Sequence, residues 1–121
     1  MKLPVHIQFH GMSHSEAIAA HAREHANKLE LFSPDIIACR VTVDLEQKHQ
    51  QQGRPFDVRL DLTLPGHELV VNRVRHEDVY VALRDAFDNM RRQLEDVVRR
   101  TREQEEAVTT QGVLMGQADS K

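Results

Sequence analysis

The sequence predicts an α+β fold of order β-α-β-β-β-α, a four-stranded sheet with two helices packed on one face. Three observations predict it. Four stretches alternate apolar and polar residues with period two, which is the signature of half-buried strands. Two others space apolar residues three and four apart, as an amphipathic helix does. Each strand and each helix has one polar face, so the helices must share one side of a single sheet and leave the other side open. A chain of 121 residues, 40% of them hydrophobic, supports one core and excludes doubly wound, eight-fold barrel and multidomain architectures.

The elements follow in order. Leu3, Val5, Ile7 and Phe9 alternate with Pro4, His6, Gln8 and His10, a strand that Gly11 ends. Ser13 and Glu16 stand in capping-box spacing and predict a helix running to about Phe32. Its apolar stripe is Ile18, Ala22, Ala26 and Leu29, and Ser33-Pro34 stops it, because the residue before Pro avoids the helical region. From Ile36 to Glu46, Ile37, Cys39, Val41, Val43 and Leu45 form one face of a strand, and Arg40, Thr42, Asp44 and Glu46 the other. Lys48 to Arg54 is polar, contains Gly, and is expected to be a loop.

Phe56, Val58, Leu60, Leu62 and Leu64 alternate with charged and polar residues up to the turn pair Pro65-Gly66. A hairpin partner follows from His67 to Arg75, with Leu69, Val71 and Arg73 on one face and Val70, Asn72 and Val74 on the other. The last element is a helix from about Glu77 to Glu103. Its stripe is Val79, Ala82, Leu83, Ala86, Phe87, Met90, Leu94 and Val97. At ~1.5 Å per residue this helix outruns the sheet, and its far end, with Arg99, Arg100 and Arg102, is expected to project.

The net charge of −3 argues at first sight against nucleic acid, but it is unevenly spread. From residue 103 to 121 the chain carries Glu103, Glu105, Glu106 and Asp119 against Lys121, so the first 102 residues balance. Residues 1–102 are expected to form the folded domain and 103–121 an acidic, flexible tail. One Cys makes neither a disulfide nor a Cys-rich zinc site. No apolar run is long enough to span a bilayer, and the first residues do not look like a signal peptide, so a cytoplasmic protein is expected.

No nucleophile elbow, phosphate-binding loop or dinucleotide fingerprint is present, and no enzyme is expected. Cys39 falls on the inward face of its strand and reads as a buried structural thiol. His21 and His25, four apart on a helix, share a face that could grip a metal. With no third ligand in view, neither a metal site nor a cofactor is expected. The strongest chemical signal is the arginine set Arg84, Arg91, Arg92, Arg99, Arg100 and Arg102 on the last helix. Asp85, Asp88, Glu95 and Asp96 interleave with it, and on the residues alone a solvated face of ion pairs is favoured over a nucleic-acid surface.

The element order, the run His76-Glu77-Asp78-Val79-Tyr80, the triplet Arg92-Gln93-Leu94, and Glu16-Ala17-Ile18 with Lys28-Leu29-Glu30 on the first helix together resemble the ribosome hibernation factors. These are also called sigma-54 modulation proteins. The resemblance runs from about His6 to Arg100. It implies a layout like that of double-stranded RNA-binding domains. It also implies a small-subunit and ribosomal RNA partner, and silencing of translation under stress by occluding the mRNA and tRNA channel. Lys28 and Arg92 stand where relatives carry the same residues. His25 stands at a usually basic position, and so do Asn89 and Asp96, with Arg91, Arg99 and Arg100 as neighbours. The nucleic-acid-binding set carried forward is Arg23, His25, Lys28, Arg75, Arg84, Arg91, Arg92, Arg99 and Arg100. The alternative function is a protein-interaction module on the same fold with a weakened RNA-binding surface, whose open sheet face (Arg40, Thr42, Asp44, Arg59, Asp61) or projecting helix meets another protein or a second copy of the chain.

Overall fold

In the computed structural model the described backbone covers residues 3–45 and 55–119, and the described side chains 3–45 and 55–104. The elements are β1 (Val5–His10), α1 (Glu16–Phe32), β2 (Ala38–Leu45), β3 (Phe56–Leu64), β4 (His67–His76) and α2 (Val79–Asp119), the order read from the sequence. The strands form one sheet in the order β1-β2-β3-β4. β1 runs parallel to β2, which the α1 crossover makes possible; the other two pairs are antiparallel. The expected loop from Lys48 to Arg54 lies outside the described residues.

Alternation puts Cys39, Val41 and Val43 of β2 and Val58, Leu60, Leu62 and Leu64 of β3 on the covered face. The two helices press Ile18, Ala22, Ala26 and Leu29, and Val79, Ala82, Leu83, Ala86, Phe87, Met90 and Leu94, onto it. Three alanines of α1 (Ala19, Ala22, Ala26) have no exposure at all, so this helix sits close to its neighbours. Gly66, in the two-residue turn between β3 and β4, has φ +76°, a conformation that costs Gly nothing and other residues ~1–2 kcal/mol.

The structure corrects the sequence reading at four places. Ser15, not Ser13, caps α1: its Oγ accepts from the Ile18 amide and its carbonyl from the Ala19 amide. Both serines suit a cap, and the helix begins at Glu16, directly after Ser15. Ile37 is 52% exposed, whereas Ile36 is buried. A tight Ser33–Ile36 turn precedes the strand, so alternation begins only at Ala38. α2 continues past Glu103 to Asp119, where a flexible tail is expected from the sequence, through a stretch that has two glycines but no proline to stop it.

The fourth correction lies in β4. Val58 pairs with Val74 and Leu60 with Val71, so Asn72 and Arg73 together face Arg59. This bulge re-phases the strand. Val74 turns toward the core, and Arg73, which strict alternation would bury, points to solvent with φ +74°. A left-handed non-glycine residue costs ~1–2 kcal/mol, less than burying an unpaired guanidinium. The bulge and its charges also blunt the free edge of β4 against pairing with another strand.

Candidate nucleic-acid interface

Two local motifs set the positions on α2. His76 Nδ1 accepts from the Asp78 amide (2.9 Å), Asp78 Oδ1 accepts from the Tyr80 amide (2.9 Å), and the Asp78 carbonyl accepts from the Ala82 amide. Asp78 is therefore the N-cap of α2. Val79 then enters the core and Tyr80 is left at the surface, 40% exposed. Further on, Arg92 faces water, Gln93 donates to the Val70 carbonyl of β4 (3.1 Å), and Leu94 is buried. Three consecutive residues thus reach solvent, sheet and core.

Where α1 faces α2, aromatic rings meet. The His21 ring stands edge-on to Tyr80 at 4.8 Å and to His25 at 5.0 Å. His25 lies flat on Phe87, 5.1 Å away and 14° from parallel. A groove of about 140 Å³ opens beside them, lined by His25, Lys28, Leu29, Phe32, Phe87, Asp88 and Arg91. The Arg91 guanidinium sits 5.6 Å from the Phe32 ring centre. The sequence reading missed this cluster. Its signal was present: His21 and His25 at i, i+4 and Tyr80 and Phe87 at i, i+7.

Burial pushes the His25 imidazole below its ordinary pKa, and the charges of His21 and Lys28 push the same way; Glu24 and Asp88 oppose them. The folded state therefore binds fewer protons here than the unfolded chain. The stabilising contribution is present above pH about 6.5, the ordinary histidine value, and is lost as pH falls below it. His25→Phe keeps a flat ring on Phe87 and cannot titrate. Thermal melts from pH 7.5 down to about 5 are expected to fall less steeply for this variant than for the wild type. Identical slopes would contradict that account.

The basic residues fall into three groups. Lys28 and Arg91 flank the groove, and Arg84 lies two turns before Arg91 on the same flank of α2. Arg92, Arg99 and Arg100 continue along the exposed side of α2. Arg23 and Arg75 are elsewhere. Arg23 is ~160° around α1 from His25 and pairs with Glu16 (3.2 Å). Arg75 grips Asp57 through two hydrogen bonds (2.9 and 3.3 Å) among strand residues that point away from the helices.

Most of the α2 arginines are tied to their own helix. Arg84 pairs with Asp85 (3.3 Å) and Arg91 with Glu95 (3.2 Å). Arg99 and Arg100 both take Asp96. These pairs are exposed and worth ~0–1 kcal/mol each, little enough to be exchanged for a stronger anion. Lys28 and Arg92 make no ion pair with any described residue.

The remaining chemistry is sparse. Cys39 is 1% exposed, and burial, helped by Asp61, pushes its thiol up to about 12, so it is no nucleophile at neutral pH. No cluster of three or more metal-ligating side chains occurs among the described residues. No helix among them is long and apolar enough to cross a membrane.

Comparison with known proteins gives a consistent picture. A family model described as sigma 54 modulation protein / S30EA ribosomal protein matches residues 5–102. A search of curated sequences finds no match. Among solved structures, a ribosomal subunit interface protein from Coxiella burnetii superposes with a TM-score of 0.63 at 13% identity, covering 78% of this chain and 97% of that one. The N-terminal domain of Protein Y from Thermus thermophilus gives 0.61 at 18% identity, with 80% and 99% covered. At these identities the two structures share the fold of this chain.

Proposed function

The chain belongs to the sigma 54 modulation protein / S30EA ribosomal protein family, and from that premise we propose that it is a ribosome-associated translation inhibitor. In this reading it acts in the cytoplasm, on the small subunit, through the face shared by α1 and α2. The observation that carries the reading is that Lys28 on α1 and Arg92 on α2 are both exposed. Both are cations without an ion-pair partner among the described residues, and both lie on the helical layer of the fold.

Phosphate contacts need neither sequence recognition nor a deep pocket, only accessible cations. Lys28 and Arg92 supply them directly. Arg84 and Arg91 supply them once a phosphate displaces Asp85 or Glu95, since an Arg–phosphate fork is stronger than an exposed carboxylate pair. Asp96, at a position usually basic in relatives, is already held by Arg99 and Arg100, so the trio presents net positive charge. No bond is made or broken in this mechanism. A bound domain excludes mRNA and tRNA by occupying their channel. The binding unit is residues 1–102, and the acidic residues Glu103, Glu105, Glu106 and Asp119 follow it on the far part of α2.

Prior incubation of small subunits with the protein is expected to lower their retention of an mRNA on filters. Undiminished mRNA binding by saturated subunits would contradict occlusion. On the open sheet face Arg59 is spent on Asp61 and Arg75 on Asp57, so these two arginines are committed within the sheet.

A further inference from the structure

We propose that the groove between α1 and α2 receives one unstacked guanine of the RNA partner. This rests on the ribosome-binding reading and adds a base contact to its phosphate contacts. The groove is built for a flat ring. One wall is the His25 ring, backed by buried Phe87, and another is Phe32 with the Arg91 guanidinium over its ring. Buried Leu29 lines it as well, and its volume of about 140 Å³ suits a single heterocycle rather than a helix or a strand. Such plates take any base by stacking. His25 is shifted toward its neutral form, so it offers a π-face here rather than a fixed charge.

Asp88 narrows the choice to guanine. It lies at the groove and makes no hydrogen bond or ion pair with a described residue, although Arg91 is one turn away and takes Glu95 instead. A free carboxylate only repels phosphate. It becomes useful against a base edge that offers two adjacent donors. Guanine offers N1–H and the 2-amino group side by side, whereas adenine, cytosine and uracil each offer one donor position on that edge. Lys28, on the opposite lip, can hold the phosphate of the same nucleotide.

The test is fluorescence anisotropy on the full chain with short oligoadenylates carrying one central guanosine, inosine or adenosine. Guanosine is expected to bind roughly tenfold more tightly than adenosine, with inosine, which lacks the 2-amino group, in between. Asp88→Asn, an exposed change that leaves the core intact, is expected to shrink the guanosine preference to about twofold or less. Equal affinity for all three RNAs overturns the proposal, and so does a preference that survives Asp88→Asn. Free guanosine monophosphate competing as well as the oligonucleotide would assign the groove to a nucleotide and overturn the RNA assignment. Co-sedimentation of the same preparation with small subunits separates the two levels. Ribosome binding without guanine preference sinks the groove proposal alone, and loss of both sinks the functional reading as well.

Discussion

Replacing Lys28 and Arg92 together by glutamate is expected to weaken small-subunit binding about a hundredfold or more at low salt, and to lower the log–log salt slope by about two. Each position loses a phosphate contact and gains a repulsion. The large effect comes from these two because neither is compensated within the fold: no described carboxylate is released when they go. Stability is expected to change by no more than ~0.5 kcal/mol, since both side chains are exposed and unpaired. Arg75→Ala is the control. Arg75 is spent on Asp57 among strand residues that face away from the helices, so its loss should leave binding within about twofold. A comparable loss from Arg75→Ala would place the interface on the sheet instead.

The second large effect is structural. Leu83→Ala is expected to cost ~2–5 kcal/mol, because Leu83 has no exposed surface and its removal leaves a cavity within the core. Against a typical total of ~5–15 kcal/mol this is a large fraction of the stability. Ile37→Ala should cost ~0.5 kcal/mol or less, since that side chain is half in water. Denaturant melts of the two variants check the packing directly. Similar losses would mean that Ile37 is in the core, as simple alternation suggests.

The contrast between those residues marks where the sequence is legible. Period-two and period-3.6 patterns revealed all six elements, because each has one face in the core and the pattern records that face. Departures arise where tertiary context overrides the pattern. Nothing local distinguishes Ile37 from Ile36 until the Ser33–Ile36 turn sets the strand's start. Nothing local announces that Arg73 adopts a left-handed backbone; the gain is made at Val74 and at Val58 across the ladder. Ser13 and Ser15 both carry cap chemistry, and the helix uses Ser15.

The candidate site was legible in part for a similar reason. Helical spacing located the arginines on α2, but not which of them are already paired. That distinction sets Arg92 apart from Arg84, Arg91, Arg99 and Arg100. Nor does spacing on one helix show what lies across from it. His21 and His25 share a helical face by spacing, and the structure places Tyr80 and Phe87 against them. Arg23 and Arg75 entered the candidate set by charge, and the fold separates them from the groove.

The central claim is that the face formed by α1 and α2 binds the small ribosomal subunit through phosphate contacts. Sedimentation of the wild-type chain with purified small subunits, across a salt series, tests it most directly. The account predicts co-sedimentation at low salt that declines steadily as salt rises, and loss of the complex at low salt in the Lys28→Glu/Arg92→Glu variant. A wild-type protein that stays in the supernatant at the lowest salt, or a complex indifferent to salt, would contradict it.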